Sequence, residues 1–204
     1  MIGLGGTGKE VLLRLRRRLV ERYGELSRLP FLQFMHIDTD KTATAHEQYD
    51  LRAGDDPLYE QVRFQANERV NLTIPGGTAK YTDHLNQFPQ IKRWFPGGGK
   101  IASLGDLGEG AGQIRIASRL GFFDATNFRN IGSRLKQCKD LLNAASVPQQ
   151  ANDLGFEFAA NSPRVFVIAS LAGGTGSGTF LDIAFLVRQY FATGERVGMF
   201  LLPG

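Results

Sequence analysis

The residues with the clearest chemical potential are Leu171-Ala172-Gly173-Gly174-Thr175-Gly176-Ser177-Gly178-Thr179. They stand between an apolar, strand-like run, Arg164 to Ser170, and an apolar, helix-like run, Phe180 to Val187. Glycines let successive backbone N–H groups point into one concavity, and the helix N-terminus adds a partial positive charge. Thr175, Ser177 and Thr179 bring hydroxyl donors that can turn toward phosphate oxygens. This stretch is expected to hold a phosphate.

A second glycine cluster, Gly3-Leu4-Gly5-Gly6-Thr7-Gly8, lies at the other end of the chain and is followed by Lys9 and Glu10. It has three readings. A Walker-type loop needs Ser or Thr after the lysine to ligate Mg²⁺, and Glu10 would instead repel a triphosphate, so that reading fails. A dinucleotide fingerprint fits the three glycines, with Asp38 at the end of the next strand holding a ribose. It leaves Gly173 to Gly178 without a task. In the third reading, two glycine loops from separate strand-to-helix junctions close on one nucleotide.

Other reactive side chains give weaker signals. His36, His46 and His84 lack metal-ligand spacing. The single cysteine, Cys138, sits in a helical pattern and reads as a packed thiol, and one cysteine allows no intrachain disulfide, which fits a reducing cytoplasm. Asp182 reads as a helix-start carboxylate. Arg115 and Arg119, one turn apart, are read first as surface or ion-pair residues, with phosphate contact as the functional alternative. Trp94 and Phe95 are expected to pack rather than to bind a base.

The elements that must position these residues form a βαβ pattern. After Gly8, Val11, Leu12, Leu15, Leu19 and Tyr23 share one helical face, the run Arg14 to Arg18 takes the other, and Gly24 is a C-terminal stop. Phe31 to Ile37 reads as a buried strand ending at Asp38-Thr39-Asp40. Residues 41–105 read as a helical excursion over one side of the sheet, with turns at Pro57, Pro75-Gly76-Gly77 and Pro96 to Gly99. Gly110-Ala111-Gly112 opens a helix from Gln113 to Leu120, a longer helix runs from about Thr126 to Ala145, and Val147 to Pro163 is a polar surface connection. The helix over Phe180–Val187, apolar on nearly every side, is expected to be covered all round. Arg196 to Leu202 is a further strand.

The fold expected is α/β, three-layered, with a mostly parallel Rossmann-like sheet, helices on both faces and an incomplete first strand. Only Met1 and Ile2 precede the first glycine loop, and the last strand ends at Pro203-Gly204, so we expect one domain over 1–204 that is truncated at both ends. With 204 residues, 42% of them hydrophobic, the chain can build a real core. The net charge of +4 derives largely from the one arginine run, not a broad basic face, so no nucleic-acid partner is expected. No apolar run reaches membrane-spanning length.

The two-loop arrangement resembles the tubulin and FtsZ superfamily, and within it the bacterial tubulin-like proteins. Gly173 to Gly178 after an apolar strand is similar to the family's signature loop, and Gly3 to Gly8 to its first phosphate loop. Ile37-Asp38-Thr39-Asp40 sits where FtsZ has an Asn-Thr-Asp segment. Gly110-Ala111-Gly112 resembles the loop that senses the terminal phosphate, and Val197 to Pro203 the strand and Pro-containing loop that follow. Ala172 replaces the first signature glycine, Glu10 an amide, and Asp38 an asparagine. The resemblance implies a site made of Gly3, Gly5, Gly6, Thr7, Gly8, Asp38, Asp40, Gly110, Ala111, Gly112, Gly173, Gly174, Thr175, Gly176, Ser177 and Gly178. It implies GTP or GDP as ligand, Mg²⁺ as a companion, and Asp38 or Asp40 near the ribose or a Mg²⁺-bound water. It further implies self-association, with hydrolysis arising only at subunit contacts of a full-length assembly. The family's base-stacking helix and catalytic acidic loop are expected past Gly204, so no catalytic residue is assigned within the chain. The rivals are an NAD(P)-binding oxidoreductase domain and a degenerate, non-catalytic scaffold.

Overall fold

The computed structural model describes residues 1–41, 58–97, 107–158 and 162–202. The turns expected at Pro57 and at Gly98-Gly99, His46 and Pro203 lie outside the described residues.

Among the described residues, five strands form one sheet in which every pairing is parallel. They are β1 (Ile2–Leu4), β2 (Met35–Asp38), β3 (Arg69–Asn71), β4 (Arg164–Ser170) and β5 (Glu195–Leu201). Their spatial order is β3-β2-β1-β4-β5. β1 is short, and its pairing with β4 begins at Ile2 against Val167, so Arg164 to Phe166 extend past it. β3 falls inside the stretch that the sequence reading treats as a helical excursion. A three-residue edge strand offers no alternation long enough to recognise.

Alternate residues along β4 feed opposite layers. Val165, Val167 and Ala169 join Ile2, Leu4 and Ile37 in a core covered by α6 (Ala125–Leu142) and α8 (Gly174–Tyr190), through Ile131, Leu135, Ile183 and Val187. Ile168 faces the other way, onto Leu12, Leu13 and Val20 of α1 (Gly5–Tyr23), joined by Val62 of α2 (Tyr59–Val62) and Phe64. Parallel strands buried on both faces need this double cover. The result is the three-layer arrangement expected.

The α1 stripe differs from the one read in the sequence. Its buried side carries Gly5, Gly8, Lys9, Leu12, Leu13, Arg16 and Val20, while Leu15 and Leu19 are only partly covered. Arg16, assigned to a solvated arginine face, is 2% exposed. Its guanidinium lies between the Phe34 and Phe64 rings and donates to the Val62 and Arg63 carbonyls and to Glu68. Three acceptors and two rings offset the burial of that charge. Gly24 does stop the helix, with φ 87° and its N–H donated to Val20.

A second hydrophobic cluster supports the third glycine loop. Ile74, Tyr81 of α3 (Ala79–Thr82), Ile91 of α4 (Pro89–Lys92) and Phe95 pack on Leu107, Ala111 and on Ala117 and Leu120 of α5 (Arg115–Phe123). Asp124 joins these pieces: it caps α6 by accepting from the Thr126 N–H and also accepts from Lys80 and the Tyr81 hydroxyl. Burial pushes the Tyr81 phenol up to about 12, with the adjacent Asp124 carboxylate adding to the rise. The stretch after α6, expected to be a plain surface connection, contains α7 (Val147–Asp153). Cys138 is buried in the main core, and that burial pushes its thiol pKa up, as befits a packing residue.

Candidate functional site

The strand order locates the site. From β1 the chain steps outward to β2 and β3, then returns to place β4 on the other side of β1. At such a reversal the loops leaving the two central strands diverge and open a crevice at their carboxyl ends. The loops leaving β1 and β4 are the two glycine clusters. Both pass into long helices at once: α1 begins at Gly5 and α8 at Gly174, so much of each expected loop is the first turn of a helix. Neither helix has a side-chain cap on its N-terminal N–H groups, and neither carries an acidic residue in its first turn. Orphan N–H groups and the positive ends of two helix dipoles therefore both stand at the carboxyl end of the sheet, and groups of this kind suit an anion.

The glycines divide by what a side chain would meet. Gly3 and Gly8 face each other: a Cβ on Gly8 would lie 2.6 Å from the Gly3 carbonyl carbon and 2.8 Å from the Ile168 oxygen. These two allow β1, α1 and β4 to pack closely. Gly176 serves likewise against Ser170 O at 2.8 Å, and Gly178 sits against Ser118 and the Arg115 carbonyl. Gly5 turns the chain at φ 68°, and a Cβ added there would lie 3.3 Å from Thr175 Cβ. Gly6, Gly112 and Gly173 have nothing within 4 Å. Only this last set leaves room for a ligand at the backbone.

Behind the crevice, a buried polar network ties the junctions together. Thr175 donates from Oγ1 to Asp38 Oδ1 at 2.9 Å, and its hydroxyl is 2.8 Å from that of Thr39. Thr39 Oγ1 accepts the Ala111 N–H at 3.0 Å. Asp38 Oδ1 also accepts from the N–H groups of Thr39 and Asp40. His36, fully buried and stacked on Phe64, donates from Nε2 toward the Gly5 carbonyl at 3.3 Å and lies 3.6 Å from Asp38 Oδ2. Burial works to raise the Asp38 pKa, yet the His36 ring, the Thr175 hydroxyl and the Asp40 N–H together hold it below its usual value. Asp38 is thus an ionised anchor inside the protein. At 4% exposure its carboxylate is enclosed within this network.

The third loop is fastened to the end of β2. Asp40 and Glu109 form an antiparallel bridge, and the Lys41 N–H bonds Gly108 O. Gly110 and Gly112 have φ of 94° and 52°, and Gln113 follows at φ 63°, the one described non-glycine residue with positive φ. Strain of this kind persists where the surroundings fix it. Here the missing side chain of Gly174 admits the Gln113 backbone, which a Cβ would approach to 3.0 Å. Ser118 adds a bond to the Gly174 carbonyl.

Several side chains behave differently from their sequence readings. The Thr179 hydroxyl, expected to face phosphate, is fully buried and donates to the Thr175 carbonyl. The Ser177 hydroxyl donates to Gly173 O within the helix. Asp182 lies well inside α8, because that helix starts six residues earlier than its apolar run, and it pairs through both oxygens with Arg119. Arg119 also covers the Trp94 ring. Arg115 remains at the rim, donating to Leu171 O at 3.2 Å. Thr7 is half-buried in the first turn of α1, and Asp40 is half-buried at the end of β2. Thr39, Ser118 and Gln113 were not singled out from sequence. Only Thr39 carried a signal, a hydroxyl between two carboxylates at a strand end.

A cavity of about 590 Å³ opens at the opposite, amino end of the sheet, beside Met1, Phe31, Met35, Cys138, Pro163 and Phe191. Neither a glycine loop nor a helix N-terminus lines it.

A family model described as tubulin like matches residues 1–204, and the chain belongs to that family. No curated protein and no solved structure matches it.

Proposed function

We propose that this tubulin-like chain binds a guanine nucleotide across the carboxyl ends of β1 and β4. The phosphates would lie between the N-termini of α1 and α8, against the backbone at Gly6 and Gly173, with Gly110 to Gly112 over the terminal phosphate. The observation carrying this reading is the meeting of two uncapped helix starts at the point where the strand order reverses. The residues suit a phosphate group: orphan N–H donors, no first-turn carboxylate, and open glycines. Mg²⁺ would be held chiefly by the phosphates and water, with Asp40 the carboxylate at hand. An NAD(P) site is disfavoured, because the Asp38 carboxylate that would hold a ribose is buried and bonded to Thr175 and two backbone N–H groups.

Calorimetric titration with GTP, GDP, ATP and NAD tests the reading. Guanine nucleotides should bind, and Gly174→Trp, which displaces the Ala111–Gln113 backbone, should weaken them by about tenfold or more. Unaltered GTP binding by that variant would sink the proposal. Binding of none of the four would favour a scaffold that kept the fold alone.

Self-association is proposed through the outer faces of α8 and β5. Leu181 and Phe185 are 58% and 68% exposed, against the expectation of a helix covered all round, and on the same side of the sheet Phe200 of β5, packed on Phe180, is 39% exposed. Exposed apolar surface of this kind favours a partner. Phe185→Glu should lower the mass measured by light scattering; a species that is monomeric before substitution would refute it. GTP-dependent assembly and hydrolysis at a subunit contact are proposed for the longer assembly, and no residue of the crevice is assigned a catalytic part.

A further inference from the structure

The hydroxyls between Asp38 and Ala111 form a chain with only one possible direction. The Ala111 N–H can only donate, and it donates to Thr39 Oγ1. An ionised Asp38 can only accept, and it accepts the Thr175 proton. Each threonine has a single hydroxyl proton. The Thr39 proton therefore goes to Thr175 Oγ1, 2.8 Å away, and the order is Ala111 to Thr39 to Thr175 to Asp38. All four residues are buried, with Thr39 and Asp38 at 0% and 4% exposure. Burial shields these bonds from solvent, and losing the Thr39 hydroxyl takes from the Ala111 N–H the acceptor it uses here.

The two residues that Thr39 joins in this relay belong to different elements around the crevice. Thr175 is in the first turn of α8, and Ala111 is at the centre of the strained 110–113 loop, whose backbone packs on Gly174. A displacement of either therefore acts on the other through Thr39. We infer that Thr39 is a positioning residue that sets the 110–112 loop relative to the α8 N-terminus, and so sets the preference of the site for a nucleoside triphosphate over the diphosphate. The second half of this inference rests on the nucleotide reading given above; the first half does not.

Two measurements on the full chain separate them. In the ligand-free protein, hydrogen exchange at the Ala111 amide should be slow. Thr39→Val, which keeps shape but removes the hydroxyl, should speed it by about tenfold or more, and Thr39→Ser should restore it. Unchanged exchange in Thr39→Val would overturn the relay whether or not any nucleotide binds. Titration with a non-hydrolysable GTP analogue and with GDP then reads the preference. Thr39→Val should reduce the ratio of the two affinities by about tenfold, with GDP affinity little changed, and Thr39→Ser should recover the ratio. Equal losses for both ligands, or no recovery by serine, would reduce Thr39 to a packing residue and overturn the inference. Slow Ala111 exchange that is lost in the Thr39→Val variant, in a protein that binds neither nucleotide, would support the relay while refuting the nucleotide reading.

Discussion

The two strand-to-helix junctions at the centre of the sheet use the same residue, glycine, to different ends. In the β1–α1 junction the glycines are principally spacers. Gly3 and Gly8 exist at their positions because β1, α1 and β4 approach too closely for any Cβ, and only Gly6 is open. In the β4–α8 junction side chains matter as much: Thr175 reaches Asp38 and Thr39, Ser118 holds the Gly174 carbonyl, and only Gly173 is open. Close packing holds both junctions, and the second adds buried side-chain hydrogen bonds to it. Each keeps one unobstructed glycine near a helix N-terminus. A glycine-rich signature therefore reports a mixture of packing and ligand access, and the spacing alone does not separate them.

Substitutions should divide along the same line. The largest effect is expected from Gly8→Val, whose Cβ would meet backbone atoms of Gly3 and Ile168 that have no freedom to retreat. A loss of about 3 kcal/mol or more is expected, read by denaturant unfolding. A near-wild-type midpoint would show that β1 and α1 can separate, and the contrast with the second junction would collapse.

A smaller loss, about 1–3 kcal/mol, is expected for Asp38→Asn, which weakens the acceptor at the centre of the hydrogen-bonded junction. Its pH signature makes the comparison sharper. The Asp38 pKa is lowered in the fold, so its contribution is complete above the ordinary value of 3.8 and is lost as the pH falls through the lower folded value. Asp124 is also lowered: burial opposes ionisation, but Lys80 and Tyr81 outweigh it. Acid destabilisation should thus be shallower in Asp38→Asn and in Asp124→Asn, and shallowest in the double variant. If the slope below about pH 4 is unchanged in Asp38→Asn, the carboxylate is not the anchor described.

The smallest structural effects belong to the open positions. Gly6→Ala and Gly173→Ala should each change stability by only about 0.5 kcal/mol, because no atom lies within 4 Å of the added carbon. Nucleotide affinity should nevertheless fall in both. Binding that is indifferent to both substitutions would mean that the open glycines do not face the ligand.

Much of this was legible in the residues. The apolar run 164–170 gave β4 with the bounds observed, Gly24 ended α1, and the four glycine and aspartate segments all meet at one end of the sheet. The misses share a cause. α8 starts at Gly174 although glycine is a poor helix former, because its packing against Ser170 and Arg115 outweighs local propensity. Arg16 is buried because two distant rings and two carbonyls surround it. β3 is a strand through pairing with β2, not through any pattern of its own.

By itself the sequence determined the order β1–α1–β2 and β4–α8–β5, the parallel α/β class and the two glycine-rich strand-to-helix junctions. Those follow from local rules: periodic burial, glycine's conformational freedom and the polarity of a helix. Tertiary structure alone decided which glycines are spacers and which are open, and it made Asp38 a buried, hydrogen-bonded anchor. That division depends on how closely segments more than 130 residues apart approach each other, as Asp38 and Thr175 do, and no local pattern encodes such a distance.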